Sequence, residues 1–583
     1  MMKGTRWPTL ISFCCCGLLF LMSATAYGAY HHEGEQDAGK FLQAYPTLAG
    51  TKLDHCALCH SGGAYTDSKG KQVKLGSCQW CHYSYGYDGA GDIATTINSY
   101  GAAYKSAGRN ADAVKAIDGA DADGDSYSNQ TELAAGTFPG DNSDHPGLQT
   151  APYRIYTREQ LEGMEQHTQF MLMNTSRSGD SYDQYSGVPM KTLLDDAGIT
   201  SAATNITVYA PDGWSQYHPL EYESSPEMYH VYGNMPNQDY QYPPATYSYD
   251  LQADVKENPT DGWCDYSAPS CAGRANGDSI PVTNGLKAIL AILHEGVYLT
   301  PGVLTQENKL DGEGPFRVVV PQKSPNPPDQ SSKAANQDVI WPYTNGWDHN
   351  AGACTRSATI IKISPLPEGT TDINVLESGW NYVDQNKIIV YGAIDSTDSN
   401  ANGVLDSEEK GSAGADHDSD GVADYADRDT ARFRHANGNA HVLLHTSQGY
   451  FADVLCMGDD DPGVSQVNKP AASFPYGVFS FRITDLTPGA TVTVELEMPS
   501  DVAVGSKYYK IDATNGWRQV SFGSNDGDQT ITLQLTDGDA ATDGDGIANG
   551  VIVDPGALAV TSSSGSTELD DDDDICFIST LWF

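Results

Sequence analysis

The sequence has few basic residues and no long apolar segment beyond its N-terminus. Its 583 residues include 33 Lys and Arg against 77 Asp and Glu, which gives a formal net charge of −44. A chain this acidic repels nucleic acid and anionic lipid and favours the binding of cations. We therefore expect no nucleic-acid partner, and we expect no transmembrane segment in the mature chain.

The N-terminal residues have the pattern of a cleaved signal peptide. Lys3 and Arg6 precede an apolar stretch from Leu10 to Met22, and small residues follow it. This stretch is shorter than the roughly 20 residues that a membrane-spanning helix needs. We predict cleavage near residues 26–28 and a mature protein that is periplasmic, extracellular or located on the outer surface of a bacterial cell.

Two segments, 56–60 and 78–82, have the pattern Cys-x-x-Cys-His. This pentapeptide is the attachment signature of c-type haem, because two such thiols reach both vinyl groups of one porphyrin and the adjacent His binds the iron. A redox Cys-x-x-Cys pair needs no following His, and a four-Cys zinc site leaves both histidines unexplained. We therefore predict two haem c groups. The predicted haem-binding residues are Cys56, Cys59, His60, Cys78, Cys81 and His82.

Methionine is absent between Met22 and Met164, so a local sixth ligand to the haem iron cannot be Met. The remaining candidates are His31, His32 and His145. Ligation by two histidines gives a lower reduction potential than ligation by His and Met. The alternative is an open or water-ligated sixth position, with the two N-terminal histidines in a solvated tail.

Three acidic segments have oxygen-bearing side chains at positions 1, 3, 5, 9 and 12, the spacing of a calcium loop. The first has Ser126 at position 6, where Gly is usual, and the third ends on Asp427, where Glu is usual. The second and third lie side by side and resemble the calcium repeats of thrombospondin type 3 and dockerin modules, with a solvated acidic linker as the alternative. The predicted Ca²⁺ ligands are Asp121, Asp123, Asp125, Tyr127 (through its carbonyl), Asn129 and Glu132; Asp398, Asn400, Asn402, Asp406 and Glu409; and Asp416, Asp418, Asp420, Asp424 and Asp427.

The central segment contains a helix pattern at 187–199, a strand pattern at 205–210 and a Gly-Pro-Phe-Arg-Val string at 314–318. These pieces resemble the molybdopterin-binding domain of the sulfite oxidase family, which implies an α+β fold. In that family a Cys on the strand ahead of the helix binds molybdenum, but the corresponding residues 170–177 include no Cys. We therefore expect no molybdenum in this segment.

A molybdenum site would need thiolate from another cysteine, because this soft ligand has to occupy a specific position beside the metal. The candidates are Cys264, Cys271 and Cys354. The simpler interpretation is that these cysteines form disulfides, since an exported protein meets oxidising conditions. Cys264 would then pair with Cys271, and Cys354 with Cys456.

Alternating apolar residues at 478–483 and 491–496 predict strands with one buried face. Pro-Gly and Asn-Gly pairs predict turns in the same region. Together with the string at 549–556, these features resemble the choice-of-anchor U domain of bacterial surface proteins. The resemblance begins at residue 474 and implies a β-sandwich without catalytic activity.

These patterns predict a multidomain protein with a small, mainly α c-type dihaem domain, a central α+β sulfite-oxidase-like domain and a C-terminal β-sandwich. The function they favour is that of an exported electron carrier that serves a redox partner protein or an extracellular electron acceptor. The alternatives are a molybdopterin-dependent oxidoreductase fused to a cytochrome, and a calcium-rigidified surface adhesin or scaffold. The predicted segments are a signal peptide at 1–28, a dihaem domain with a calcium loop at 29–150, the central domain at 151–394, tandem calcium loops at 395–430, the sandwich at 431–560 and an acidic linker and tail at 561–583.

Overall fold

The structure is a computed structural model that describes most of the chain between residues 35 and 560. The described residues are 35–48, 53, 57–66, 72–74, 96–173, 181–210, 215–220, 231–234, 238–239, 245–248, 279–282, 287–304, 310–320, 353–372, 386–410, 415–461, 464–512 and 516–560. Several residues named in the predictions lie outside this set: His31, His32, Cys56, Cys78, Cys81, His82, Cys264 and Cys271.

Strands predominate over helices in this structure, at 34% against 16%. The predicted fold class is therefore wrong, because strands predominate and no dominant small α domain is present among the described residues. The longest described helix has 10 residues, and the two helices of the central region have five and seven. Frequent Gly, Pro and Tyr explain the difference, since they end helical patterns early and favour turns and strands.

Short helices surround a small core at the N-terminal end, in which Phe41, Leu58, Tyr100 and Leu133 are buried. The helices are α1 (Glu35–Ala44), α2 (Ala57–His60), α3 (Ser99–Ala107), α4 (Ala111–Ala116) and α5 (Asn129–Ala135), with a 3-10 turn at Pro46–Leu48. Two short antiparallel strands follow α2, namely β1 (Ala64–Thr66) and β2 (Gln72–Lys74).

The central region consists of strands with two short helices, α6 (Arg158–Glu162) and α7 (Met190–Asp196). The strands are β3 (Gln149–Thr150), β4 (Tyr153–Thr157), β5 (His167–Met173), β6 (Ser181–Pro189), β7 (Asn205–Tyr209), β8 (Ser215–Pro219), β9 (Tyr232–Asn234), β10 (Gln238–Asp239), β11 (Ala245–Ser248), β12 (Ser279–Val282), β13 (Ile289–His294), β14 (Val297–Tyr298), β15 (Val303–Leu304), β16 (Leu310–Asp311), β17 (Arg317–Val319), β18 (Ile360–Ser364), β19 (Thr370–Thr371) and β20 (Lys387–Gly392).

Two five-stranded sheets enclose the central core. One has the order β14-β13-β6-β5 with β17 also paired to β13, and the other has the order β4-β20-β18-β7-β8. Leu193 and Leu194 of α7 are fully buried in the core between them. The strands β3 and β19 pair in parallel. This pairing joins the segment that follows the N-terminal helices to the central region.

Two further sheets form the C-terminal region, preceded by α8 (Asp406–Glu409) and a 3-10 turn at Asp424–Ala426. The strands are β21 (Thr430–Arg434), β22 (His441–Thr446), β23 (Tyr450–Met457), β24 (Val478–Thr484), β25 (Thr491–Glu497), β26 (Lys507–Asp512), β27 (Gly516–Val520), β28 (Thr530–Thr536) and β29 (Ile552–Ala559). The sheets have the orders β21-β22-β25-β28 and β23-β24-β29-β26-β27. They share one core, to which Leu444 and Leu496 contribute from the first sheet and Phe479 and Tyr508 from the second.

Polar contacts connect the central and C-terminal regions. Thr157 donates a hydrogen bond to the carbonyl of Ala436, and Asn439 donates one to the carbonyl of Gln160. Lys387 forms an ion pair with Asp461. Across the residues that the structure describes, no helix has the length and apolar character needed to cross a bilayer.

Candidate haem and calcium sites

Residues 57–60 of the first Cys-x-x-Cys-His motif form α2, which packs on the start of α3. The Asn98 side chain donates hydrogen bonds to the carbonyl oxygens of Leu58 and Ser61, at 3.0 and 2.8 Å. Gly101 allows the close approach of the two helices, because a Cβ there would lie 2.7 Å from the carbonyl oxygen of Cys59. The half-buried Cys59 therefore has a fixed position on this turn.

His60 ends α2 and is the residue that would bind haem iron. Its Nδ1 lies 2.8 Å from Oγ1 of the fully buried Thr96. A proton on Nδ1 in this hydrogen bond makes Nε2 the metal-binding nitrogen. Burial lowers the pKa of His60 to about 4, although a backbone hydrogen bond at Thr96 opposes the effect. The imidazole is therefore neutral at physiological pH, and this set of donors fits haem c.

Of the predicted sixth ligands, His145 lies within the described residues. Its ring stacks on Tyr127, with centroids 5.8 Å apart and an angle of 9° between the planes. Its Nδ1 lies 3.1 Å from the carbonyl oxygen of Pro146. His145 thus lies against the first calcium loop, and its role as a haem ligand stays a prediction.

The three calcium loops, at 121–132, 398–409 and 416–427, have the same hydrogen-bond pattern. In each loop the position-1 carboxylate accepts a hydrogen bond from the N–H of position 6 at 3.0 Å. The side chain at position 3 accepts from position 5, and the side chain at position 5 accepts from position 7. Position 6 has a positive φ in all three loops, and Ser126 adopts it at +84° although it is not Gly.

The residues at position 9 support the loops from within. Asn129, Asp406 and Asp424 each accept a hydrogen bond from the N–H of position 2, at 3.1, 2.7 and 2.8 Å. The second carboxylate oxygen of Asp406 accepts from the hydroxyl of Ser399. These three predicted ligands therefore stabilise the conformation of their loops through hydrogen bonds to the main chain.

The acidic residues at position 12 have raised pKa values in all three loops. Burial is the largest cause, and the pKa rises to about 9 for Glu132, about 8 for Glu409 and about 7 for Asp427. Among the described residues, neither carboxylate oxygen of Glu132 has a hydrogen-bond partner, nor does Oδ2 of Asp123 or Asp125. Buried oxygens that repel one another in this way are the ligands that a bound cation would neutralise.

Asn400 of the second loop lies in a compact group of oxygen atoms. Its Nδ2 is 3.1–3.5 Å from five of them. They are both carboxylate oxygens of Glu409 and the carbonyl oxygens of Asp424, Asp427 and Thr430. An amide nitrogen has only two hydrogens to donate. Its Oδ1 accepts from the N–H of Asn402 at 3.2 Å, which fixes the orientation of the amide, so at least three of the five oxygens receive no hydrogen from it.

Beside the third loop lie two groups of possible metal ligands, one predicted from the sequence pattern and one that the pattern did not reveal. Asp416, Asp418 and Asp420 each offer an oxygen atom within 4.8 Å of the others, as do the first three aspartates of the first loop. Asp418 also belongs to a second group with Asp429 and His445. Asp429 lies two residues beyond the loop, whereas His445 follows no local spacing because it is on β22, which pairing within the sheet brings to the loop. Main-chain carbonyl ligands likewise have no signal in a sequence.

A buried charged cluster lies where β6, β13 and β17 meet. Nε2 of His294 is 3.2 Å from Asp183 Oδ1, and Nδ1 is 3.3 Å from Glu313 Oε2. Arg317 donates to the other Glu313 oxygen at 2.6 Å and to the hydroxyl of Tyr185 at 3.1 Å. The rings of His294 and Tyr185 stack with centroids 4.6 Å apart. Each charge in the cluster therefore has an opposite partner.

This cluster changes the pKa values of its members. Burial alone would lower the pKa of His294, but hydrogen bonds and charges from Asp183 and Glu313 outweigh it and raise the pKa to about 9. Burial alone would raise the pKa of Glu313, but His294 and Arg317 lower it to about 2. At neutral pH the cluster consequently contains a His cation between carboxylates.

We predict that the stability of the protein depends on pH through His294. Its folded pKa of about 9 exceeds the ordinary 6.5, so its contribution is complete below pH 6.5 and is lost as pH rises through 9. Glu313 acts in the opposite sense: its contribution is complete above pH 4.5 and is lost as pH falls toward 2. The cluster stabilises most between these limits.

Urea unfolding of the wild type and of His294→Gln at about pH 6 and about pH 10 measures this effect. The stability advantage of the wild type should shrink by up to about 3 kcal/mol between the two values. His441→Gln, a change in the C-terminal sheets, serves as the control: burial lowers the pKa of His441, so the wild-type advantage over this variant should not shrink as pH rises. Equal pH dependence of wild type and His294→Gln would contradict the prediction.

The central region does not fit a molybdenum cofactor of the sulfite oxidase type. The Gly-Val-Pro residues end β6, and neither β6 nor the preceding strand β5, which contains Met171 and Met173, has a Cys. Burial raises the pKa of Cys354, which keeps its sulfur protonated and makes it a poor metal ligand. The predicted disulfide between Cys354 and Cys456 is wrong, since neither residue is in a disulfide. They lie apart because one is in the central core and the other is in β23.

Comparison with known proteins gives no relative, because no family model matches the chain and no curated protein sequence matches it. The functional assignment therefore depends on the chemistry of the sites described above. The local geometry at Cys59 and His60 and the three acidic loops are the features from which it is argued.

Proposed function

We propose that the protein is an exported dihaem c-type cytochrome that carries electrons to a redox partner protein or an extracellular acceptor. The observation that supports this most is the geometry of the first motif. One helical turn presents the Cys59 thiol and a neutral His60 whose Nδ1 contacts Thr96. The segment 78–82 supplies the same residue types a second time. A net charge of −44 favours a partner with a positively charged surface.

Haem bound at this turn would supply one-electron chemistry at its iron. Cys56 and Cys59 would hold the group covalently, and His60 would hold the iron. Thr96 holds Nδ1 of the imidazole at 2.8 Å, which leaves Nε2 as the nitrogen that would bind the iron.

In the same proposal each of the three acidic loops binds Ca²⁺. The support is the set of buried, mutually repelling oxygens, above all the carboxylate of Glu132. In the second loop Glu408, the neighbour of Glu409, pairs with Arg154 of the central region at 3.2 Å. Calcium in this loop would therefore stiffen the contact between the central and C-terminal regions.

A calcium-rigidified surface scaffold is the second candidate function. The observation that favours it is this same contact, together with the predominance of sheets. In a scaffold the haem groups would be attached but would exchange electrons slowly. The rate of electron exchange therefore distinguishes the two candidates.

We predict that protein matured in a host that attaches haem c is reduced by dithionite and rapidly reoxidised by a soluble acceptor. The near-infrared band of Met-ligated ferric haem should be absent, because no Met lies between Met22 and Met164. His60→Ala should change the iron ligation of one haem, which absorption and magnetic spectra report. His441→Ala, far from the motifs in sequence, is the control and should leave the spectra unchanged.

Haem that is attached but resists reoxidation would reject the carrier function and favour the scaffold. The near-infrared band of Met-ligated ferric haem, if present, would mean that Met164 or a later Met binds a haem iron. Unchanged spectra in His60→Ala would remove this residue from the iron site.

A further inference from the structure

A lysine and an aspartate are buried together in the C-terminal sheets. Lys510 lies on β26 and is 3% exposed, and Asp554 lies on β29 and is fully buried. Nζ of Lys510 is 2.5 Å from Oδ1 of Asp554, closer than the roughly 2.7–2.9 Å of an aligned ammonium–carboxylate hydrogen bond. Within the described residues neither group makes an aligned hydrogen bond.

The strand register explains why the two side chains meet. Lys510 is opposite Gly556 in the antiparallel pair of β26 and β29, and Asp554 is two positions further along the same face. Such diagonal neighbours are within reach of a long side chain. The Tyr508 ring lies over Gly556 on this face, since a Cβ there would lie 2.5 Å from the Tyr508 hydroxyl. Asp554 also lies opposite Phe481 of β24, so β29 is paired on both sides.

The surroundings favour the uncharged forms of both groups. Burial is the largest cause that lowers the pKa of Lys510 and raises the pKa of Asp554. A buried ion pair loses the hydration of both ions, and this cost can exceed the mutual attraction. A neutral amine is a nucleophile, and a protonated carboxyl group has a hydroxyl that can leave. A third buried carboxylate, Asp543, acts electrostatically on both groups, so a proton acceptor is near.

We propose that Lys510 and Asp554 react to form an intramolecular amide cross-link between β26 and β29. The lone pair of Nζ forms a bond to Cγ of Asp554, and the bond between Cγ and the hydroxyl oxygen breaks. One proton moves from Nζ to the departing hydroxyl, and one water molecule leaves. No group is oxidised or reduced, and no co-reactant is needed. The product carries no charge, which removes the cost of two buried ions.

The mass of one peptide from the full-length protein tests this proposal. A protease that cuts only after Glu releases residues 498–568, which contain both reacting residues. We expect this peptide to be lighter than its calculated mass by one water molecule. Trypsin, which needs a free lysine side chain, should fail to release residues 508–510 from the denatured protein.

Three variants distinguish the proposed cross-link from other reactions that would lower the peptide mass by one water molecule. Lys510→Met should restore the full calculated mass, whereas Lys507→Met, a change at an exposed position of the same strand, should keep the deficit. Asp554→Asn should reach the wild-type mass by losing ammonia. A wild-type peptide with its full mass, or release of residues 508–510 by trypsin in full yield, would overturn the proposal even if Lys510→Met fails to fold.

Discussion

Removal of calcium should lower the thermal stability of the protein strongly. An ion that binds only the folded state stabilises it by about 4 kcal/mol per site when its free concentration is about 1,000 times Kd, and the chain has three loops of equal geometry. Without the ion, both carboxyl oxygens of Glu132 and one oxygen each of Asp123 and Asp125 are buried without a hydrogen-bond partner among the described residues. Calorimetry with and without a calcium chelator measures the shift, and titration should give three ions per chain.

Glu132→Gln provides a matched test of the first loop. With calcium present, the variant should bind one ion fewer and unfold at a lower temperature than the wild type. With chelator present, the difference should disappear, because the raised pKa of about 9 keeps Glu132 protonated near neutral pH and Gln then replaces one neutral group by another. Glu159→Gln, at an exposed position of α6, is the control. A transition that chelator leaves unchanged would contradict calcium binding in all three loops.

Asp196→Ala should lower the free energy of unfolding by about 3–5 kcal/mol. Asp196 accepts hydrogen bonds from Arg434 at 2.8 and 2.7 Å and from the Tyr156 hydroxyl at 2.8 Å. Its carboxylate is also 3.6 Å from Arg154. The side chains of Arg154 and Arg434 are 5% and 14% exposed, so the variant leaves two buried cations with less countercharge. Because Arg434 belongs to β21, the central and C-terminal regions should also separate more easily.

The neighbouring residue on the same helix offers the control. Asp195 is 43% exposed and pairs with Lys191 at the surface of α7. Asp195→Ala should therefore cost less than about 1 kcal/mol. Denaturant unfolding of both variants under identical conditions compares them, and equal small losses would mean that the Asp196 network does not stabilise the contact between the two regions.

The sequence predicts best those features whose signal is local. The strands expected at 478–483 and 491–496 are found at Val478–Thr484 and Thr491–Glu497, because alternation at every second residue specifies which face is buried. The calcium-loop spacing predicts turns that the structure repeats three times, down to the positive φ of Ser126.

Features that depend on contacts between distant segments could not be predicted. The oxygens around the Asn400 amide include main-chain carbonyl oxygens of the third loop. The pairing of Lys510 with Asp554 depends on the register of two strands. The fold class failed for a related reason: the helix predicted at 187–199 is confirmed only at Met190–Asp196, because residues 187–189 end β6 and the surrounding residues pair into sheets over long separations. Local propensity does not report such pairing.

The most direct test of the proposed function is the intact mass of the mature protein, purified from a host that attaches haem c. The proposal predicts a mass increase equal to two haem groups, and a denatured sample should keep its haem stain. Cys59→Ser should weaken attachment at the first motif alone, and Cys456→Ser, a change in the C-terminal sheets, should have no effect on haem content. A wild-type protein that carries no covalent haem would contradict the assignment as a cytochrome.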